Sequence, residues 1–243
     1  MIDVIIYGAG GLGRLVLDTL LQSDLYRPVA FLDSDRAKHG DSVDGLTILG
    51  GLEKLADLRA AGVTSAIVAV GDNRTRIDIA RRLLREDFTL ASAIHPSTSI
   101  APSAFLGAHL IIGSRVMISV HASIADHCVL LAGAIVEHDN TLGSGAFLHS
   151  AVRLAGGVEI GALATLHIGA CVIPYRKVGR QARVEAGAVV ISDVLPGSAA
   201  AGAPAVRVDR ERSHFVPDDE LAVPKPAPRA CLHQIALVNQ ATK

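Results

Sequence analysis

The 243-residue sequence contains no tryptophan, and it has only five phenylalanine and three tyrosine residues. Aromatic side chains usually supply much of the buried surface of a globular core. Half of the residues are nonetheless apolar, so any core must be built mainly from aliphatic side chains. This composition favours a solenoid of stacked aliphatic residues over a globular core with aromatic anchors.

Strong charge of one sign and paired cysteines are also missing. The formal net charge is −1 at pH 7 and no basic run occurs, which argues against nucleic acid or an anionic membrane as partner. Cys128, Cys171 and Cys231 have unrelated spacings, which predict free thiols. No charged segment precedes the first apolar run, and no apolar run reaches membrane-spanning length. We therefore expect a cytoplasmic protein.

From Ile94 onward the sequence repeats every six residues. Seventeen consecutive hexads begin with Ile, Leu or Val, and the fifth residue of most hexads is small. A period of six matches neither a helix nor plain strand alternation. It indicates a parallel β-helix, in which each hexad forms a short strand and a corner, and three hexads complete an 18-residue coil.

The first 93 residues alternate between strand and helix patterns. Such alternation predicts a parallel sheet whose ligand crevice lies at the carboxyl ends of the strands. The predicted elements are strands at 3–7, 29–32 and 65–70, a helix after residue 13, and helices at 52–60 and 73–85.

A glycine-rich turn follows the first predicted strand, with Gly8, Gly10 and Gly13 in a G-x-G-x-x-G pattern. Glycines there let the backbone approach a phosphate that faces the helix N-terminus. Asp33 lies 20 residues after Gly13, where an acid can accept hydrogen bonds from a ribose or a base. Gly71 follows another predicted strand at the same edge, so we expect it in the same crevice.

The residues leave three interpretations of this turn open. An NAD-dependent oxidoreductase would need a second mononucleotide-binding half, and the region is too short to contain one. The glycines could instead serve only the strand-to-helix turn. A single nucleotide, or a nucleotide-linked sugar, fits half a Rossmann fold best.

The densest polar cluster in the repeat region is Glu137-His138-Asp139-Asn140. Because the inward positions of a β-helix are structural, chemistry is expected at its corners. A histidine beside a carboxylate suits a general base, since the carboxylate can fix the tautomer and raise the basicity. Gly156 follows His138 by one coil, so its N–H is a candidate oxyanion donor. A plain surface histidine on a turn is the alternative.

Other histidines recur at the coil spacing, which suggests a possible metal site. His109 and His127 are 18 residues apart, as are His149 and His167, with Glu185 a further 18 on. Trimeric γ-class carbonic anhydrases also use hexapeptide coils and histidine ligands. Equivalent positions in successive coils form a ladder, however, whereas a tetrahedral site needs convergence. We therefore expect no bound metal.

Taken in order, the motifs resemble those of one family, the bacterial sugar acetyltransferases typified by sialic acid O-acetyltransferases and by the N-acetyltransferases of nucleotide-linked 4-amino sugars. The similarity extends from about Ile5 to Val206, and the ordered set of motifs is specific although each is weak alone. The motifs are Tyr7-Gly8-Ala9-Gly10-Gly11-Leu12-Gly13, Phe31-Leu32-Asp33-Ser34, Ala69-Val70-Gly71-Asp72-Asn73, His95-Pro96-Ser97, Val136-Glu137-His138-Asp139, Leu154-Ala155-Gly156-Gly157-Val158 and Ala201-Gly202-Ala203-Pro204-Ala205.

The resemblance implies a left-handed β-helix after an N-terminal Rossmann-like domain, and a homotrimer with active sites at the subunit interfaces. It implies His138 as general base, with Asp139 as the carboxylate that enhances it, and Gly156 as the oxyanion donor. The positions that match nucleotide-sugar ligands are Gly10, Gly11, Leu12, Asp33, Ser34 and Gly71. Acetyl-coenzyme A would lie between neighbouring subunits, near positions matching Phe147, Ile168 and Ala186.

The implied reaction is direct transfer of an acetyl group from acetyl-coenzyme A to the amino group of a nucleotide-linked 4-amino-deoxy sugar. O-acetylation of a sialic acid is an alternative, since histidine can deprotonate an amine or a hydroxyl. A non-catalytic, nucleotide-binding trimeric scaffold is a second alternative. Departures from the family's pattern concern the acyl-donor side. Phe147 stands where a His is common, Tyr175 where Gly is common, and Ala203 where Asn is usual.

Three segments are predicted. Residues 1–93 form the Rossmann-like nucleotide-sugar-binding domain, and residues 94–208 form the β-helix acyltransferase domain. Residues 209–243 form a C-terminal tail rich in proline, a composition typical of an extended linker.

Overall fold

The structure is a computed structural model, and it describes residues 1–208. The predicted proline-rich tail, 209–243, lies outside the described residues. The described chain forms two compact units. The first contains Met1–Thr98 and Ala108–Ser114, and the second contains Ser99–Gly107 and the described residues from Arg115 onward. The domain limits 1–93 and 94–208 stay a prediction.

The first unit contains a parallel α/β sheet, as predicted. Its four strands have the order β2-β1-β5-β6, all parallel, and β3 and β4 form a short antiparallel hairpin. The strands are β1 (Ile2–Tyr7), β2 (Tyr26–Leu32), β3 (Ser42–Val43), β4 (Leu46–Thr47), β5 (Ser65–Val68) and β6 (Thr89–Leu90), and the helices are α1 (Gly11–Leu21), α2 (Leu55–Ala60) and α3 (Asn73–Arg85).

The central strand β1 is aliphatic because helices cover both faces of a parallel sheet. Val4, Ile5 and Ile6 are completely buried. The helices at 55–60 and 73–85 agree with the predicted positions, but Leu52–Lys54 is a 3₁₀ turn rather than the first turn of α2.

Strand β5 ends two residues before its predicted end. The guanidinium of Arg76 donates to the carbonyl oxygen of Val70 at 3.0 Å, so this carbonyl is bonded to a side chain and not to a neighbouring strand. None of the helices within residues 1–208 is long and apolar enough to cross a membrane.

The repeat region is a β-solenoid of about six coils, the left-handed parallel β-helix that was predicted. Each strand contains only two or three residues, the last residue of one hexad and the first of the next. The strands are β7 (Ala93–Ile94), β8 (Ser99–Ile100), β9 (Phe105–Leu106), β10 (Ile111–Ile112), β11 (Met117–Ile118), β12 (Ser123–Ile124), β13 (Val129–Leu130), β14 (Ile135–Val136), β15 (Thr141–Leu142), β16 (Phe147–Leu148), β17 (Arg153–Leu154), β18 (Glu159–Ile160), β19 (Thr165–Leu166), β20 (Cys171–Val172), β21 (Lys177–Val178), β22 (Arg183–Val184), β23 (Val189–Val190), β24 (Ala199–Ala201) and β25 (Val206–Val208).

Parallel pairing joins residues one coil apart, as the 18-residue spacing predicts. In one ladder of the second unit, Val136 pairs with Leu154 and Leu154 with Val172, and all three are almost completely buried. The fourth residue of each hexad turns the corner in the left-handed region of φ. Asp139 has φ 59° and Tyr175 has φ 60°.

Candidate functional site

In the first unit, the glycine turn between β1 and α1 contains two kinds of glycine. A Cβ on Gly8 would lie 2.6 Å from the carbonyl oxygen of Ala69, and a Cβ on Gly13 would overlap the carbonyl oxygen of Gly8. These two glycines are therefore required by close backbone contacts. Gly10 and Gly11 are exposed, and a Cβ on either would meet nothing within 4 Å.

Helix α1 begins at Gly11, with Gly10 as its N-cap and no side-chain cap. Arg14 N–H donates to the Gly10 carbonyl at 3.1 Å. Within residues 1–208, the N–H groups of Gly11 and Leu12 have no hydrogen-bond acceptor. Open N–H groups at a helix N-terminus, with the positive end of the helix dipole, suit a phosphate.

The carboxylate of Asp33 is already hydrogen-bonded within the protein. Its Oδ2 accepts the Ala9 N–H at 2.9 Å, its Oδ1 accepts the Asp35 N–H at 2.9 Å, and Lys38 Nζ lies 3.4 Å from Oδ2. Burial acts to raise the pKa of Asp33, but these hydrogen bonds and the Lys38 charge outweigh it and hold the pKa below its usual value. Asp33 thus ties the glycine turn to the loop after β2, and the exposed Ser34 follows it.

The loop from β5 to α3 presents Gly71 at the surface. Asp72 caps α3 by accepting the Thr75 N–H at 2.7 Å. Beneath the loop, Arg76 is completely buried and donates to Asn73 Oδ1 at 2.8 Å. Sequence reasoning missed Arg76, although an arginine on the apolar face of a predicted helix is a signal that could have identified it.

In the second unit, His138 and Asp139 form an exposed pair at one corner of the solenoid. His138 Nδ1 lies 2.7 Å from Asp139 Oδ2. Because a carboxylate can only accept here, this contact places the proton on Nδ1 and leaves Nε2 as the proton acceptor of a neutral ring. The pair therefore has the geometry of an oriented general base.

Gly156 packs directly against the His138 ring, as the coil spacing predicts. A Cβ on Gly156 would overlap Nε2 and Cε1 of His138, so a glycine is needed there for the ring to occupy its position. Within the described part of the chain, the Gly156 N–H has no acceptor. The structure thus brings His138, Asp139 and Gly156 together, and leaves one backbone donor open beside the ring.

Hydrogen bonds fix the backbone of this corner across three coils. Gly157 N–H donates to the His138 carbonyl at 3.0 Å, and Tyr175 N–H donates to the Gly156 carbonyl at 3.1 Å. From the interior, the buried amide of Asn140 accepts the Val158 N–H through Oδ1. Asn140 is therefore a structural link between two coils and not an exposed member of the polar cluster.

The three predicted donor positions do not share one surface. Ile168 and Ala186 are exposed and occupy the same position in successive coils. Phe147 is only 4% exposed, and its ring stacks on His149 at a centroid distance of 4.5 Å. His149 in turn stacks on His167 at 4.9 Å. Burial and the neighbouring His167 lower the pKa of His149.

The histidine columns do not converge on a metal geometry within the described residues. No group of three or more His, Cys, Asp or Glu residues in 1–208 is placed to hold a metal ion. His109 has a structural partner instead, since its Nε2 accepts the Val68 N–H at 3.0 Å.

Comparison with known proteins agrees with both regions. Residues 3–83 match the PglD N-terminal domain family. PerB from Caulobacter crescentus, in complex with CoA and GDP-perosamine, is 36% identical, with 85% of this chain and 97% of that chain covered and a TM-score of 0.81. A histidine-to-alanine mutant of GDP-perosamine N-acetyltransferase from the same organism, also with CoA and GDP-perosamine, is 35% identical, with 86% and 97% covered and a TM-score of 0.81.

The acetyltransferase domain of PglB from Neisseria gonorrhoeae FA1090, in complex with acetyl coenzyme A, is 28% identical, with 85% of this chain and 98% of that chain covered and a TM-score of 0.78. A curated relative, the acyl-[acyl-carrier-protein]–UDP-N-acetylglucosamine O-acyltransferase of Agrobacterium fabrum, is 29% identical over 165 residues, or 68% of this chain. The chain spans about half the length of that relative, 53%.

The motifs, the fold and the near-complete coverage of a 36%-identical structure agree. The predictions of the family and of an acyltransferase are therefore confirmed. The chain belongs to the hexapeptide-repeat acyltransferases with an N-terminal Rossmann-like domain, the family of the nucleotide-linked amino-sugar N-acetyltransferases.

Proposed function

We propose that the protein transfers an acetyl group from acetyl-coenzyme A to the 4-amino group of a nucleotide-linked 4-amino-deoxy sugar, with His138 as general base. The observation that carries the proposal is the His138–Asp139 contact of 2.7 Å, with the Nε2 edge of the ring against Gly156. The relatives' ligands, GDP-perosamine with CoA and acetyl coenzyme A, support the substrate classes.

In the proposed reaction, the sugar amine attacks the thioester carbonyl carbon while His138 Nε2 removes a proton from the nitrogen. A C–N bond forms, and the carbonyl oxygen gains negative charge that the Gly156 N–H stabilises. The C–S bond then breaks, and coenzyme A leaves as a thiolate that takes up a proton. Asp139 holds the ring and stabilises the imidazolium. The step requires neither a metal nor a covalent enzyme intermediate.

In the first unit, the open N–H groups of Gly11 and Leu12 would bind the diphosphate of the donor nucleotide. Gly10 and Gly71 are exposed backbone positions that allow a ligand to come close, and Ser34 offers a hydroxyl beside them. Asp33 would act mainly by holding this loop, because its carboxylate already accepts two backbone N–H groups. Residues 1–93 would thus be the nucleotide-sugar domain and 94–208 the acyltransferase domain.

The proposal extends to assembly and location. The solenoid would form a homotrimer, with acetyl-coenzyme A held between subunits along the column of Ile168 and Ala186. Coenzyme A and activated sugars are cytoplasmic metabolites, so the enzyme would act in the cytoplasm.

The test is thiol release from acetyl-coenzyme A with UDP-, GDP- and dTDP-linked 4-amino sugars and with a sialic acid. Turnover on one nucleotide amino sugar is expected. His138→Ala should lower kcat by about 10²–10⁴-fold without changing the melting temperature. His121→Ala is the matched control, because His121 is an exposed corner histidine one coil away with no acidic neighbour in sequence.

Other outcomes separate the alternatives. Turnover on the sialic acid alone would replace N-acetylation by O-acetylation. Nucleotide binding without thiol release, unchanged in His138→Ala, would indicate a scaffold.

A further inference from the structure

The His138 corner contains a second ring, which the proposed reaction does not use. Tyr175 lies one coil beyond Gly157, and its side chain is 72% exposed. A Cβ on Gly157 would lie 2.6 Å from Cδ1 and 2.8 Å from Cε1 of Tyr175. The ring therefore rests on the Gly157 backbone, and a side chain at residue 157 would displace it.

The two glycines form the floor of a notch between the two rings. The His138 ring covers Gly156 from the preceding coil, and the Tyr175 ring covers Gly157 from the following coil. The peptide that joins the glycines is held at both ends, by the His138 carbonyl and by the Tyr175 N–H. Floor and walls are thus fixed by backbone hydrogen bonds.

The notch has chemically different sides. On one side, His138 Nε2 receives the proton of the attacking amine. On the floor, the open Gly156 N–H faces the developing oxyanion. Because the amine attacks one face of the planar thioester from the His138 side, the other face of the thioester turns toward the Tyr175 ring. An aromatic ring offers an apolar surface to a methyl group and to a sulfur atom.

We propose that Tyr175 is a specificity-determining residue, the donor-side wall of the notch that limits the acyl group to acetyl. The inference rests on the proposed function and deepens it. The ring supports the acetyl group against the approaching amine, and additional methylenes of a longer acyl chain would collide with it. The hydroxyl has no part in this role.

The experiment compares acetyl-, propionyl- and butyryl-coenzyme A in wild type, Tyr175→Gly and Tyr175→Phe. Glycine is well tolerated at φ 60°, so Tyr175→Gly should keep the melting temperature of the wild type. Phe105→Ala is the control for loss of an exposed solenoid aromatic, since Phe105 is 43% exposed. Two quantities are measured, kcat/KM in thiol release with the acceptor, and the dissociation constant of each acyl-coenzyme A without it.

In Tyr175→Gly, the preference for acetyl over butyryl should fall about tenfold in both measurements. Tyr175→Phe and Phe105→Ala should keep the wild-type preference, and the KM of the acceptor should not change in any variant. An unchanged preference in Tyr175→Gly, or a change confined to the acceptor KM, would overturn the inference. If the wild type transfers nothing, the proposed function fails, and the binding ratios still decide the role of Tyr175.

Discussion

Two pairs of adjacent glycines, one in each unit, serve opposite purposes. Gly10 and Gly11 face open space, with nothing within 4 Å of an added Cβ. Gly156 and Gly157 face the rings of His138 and Tyr175 so closely that an added Cβ would collide with each. The first pair keeps a backbone accessible to a ligand from outside. The second pair makes room for side chains of the protein itself, and so positions them.

The largest effect that separates the two pairs is expected for Gly156→Ala. Its methyl group would occupy the place of the His138 ring, and a displacement of about 1 Å at the base can lower turnover about 10²-fold. Thiol release at saturating substrates measures it. The corresponding Gly10→Ala change should instead raise the KM for the nucleotide sugar. If both changes altered only KM, the comparison between the pairs would be wrong.

A second contrast lies within the glycine turn of the first unit. Gly13→Ala should lower the free energy of unfolding by about 2 kcal/mol, because its Cβ would overlap the Gly8 carbonyl oxygen and overpacking costs about 1–3 kcal/mol. Gly11→Ala should change it by less than about 0.5 kcal/mol, since its side is open. Urea unfolding compares them, and equal losses would refute the distinction.

The smallest effect concerns pH. His149 has a pKa lowered by burial and by His167, so the unfolded chain binds its proton first as the pH falls. Its contribution to stability is therefore fully present above the ordinary value of 6.5 and is lost as the pH falls below it. The melting temperature of the wild type should drop more between pH 7 and pH 5.5 than that of His149→Gln. An equal or smaller drop in the wild type would contradict this.

The first unit should respond to acid in a different range. Asp33 also has a lowered pKa, but as an acid it stabilises the fold above its ordinary value of 3.8 and loses this contribution only as the pH falls below that value. Asp33→Asn should therefore reduce the acid sensitivity only below about pH 4, which distinguishes the carboxylate from the histidine stack in one titration.

Much of the solenoid could be predicted because its rule is local and repeated. The aliphatic residue that leads each hexad, such as Val136 and Leu154, marks the interior, and the spacing of 18 residues identified Gly156 as the neighbour of His138 one coil away. The carboxylate of Asp139 could be assigned to the imidazole because adjacency in sequence already brings the two groups together. These predictions needed only the period and the chemistry of the side chains.

The loops of the first unit were harder to predict. Asp33 was expected as an open acceptor for a ribose or a base, and its position was predicted from the motif, but its carboxylate is shared between two backbone N–H groups. Arg76 was missed because a buried guanidinium satisfied by carbonyl and amide oxygens has no sequence motif. Hydrogen-bond partners in such loops are set by the path of the whole loop, which no local pattern specifies.

By itself, the sequence determined the period of the solenoid, the strand–glycine–helix turn and the pairing of His138 with Asp139, because each follows from neighbours along the chain or from a constant spacing. Tertiary structure alone decided that Phe147 is buried against His149, that Asn140 links two coils from inside, and that Tyr175 rests on Gly157. The physical reason is that a backbone repeat sets where each Cα lies, whereas the direction of a side chain depends on the space that its neighbours leave.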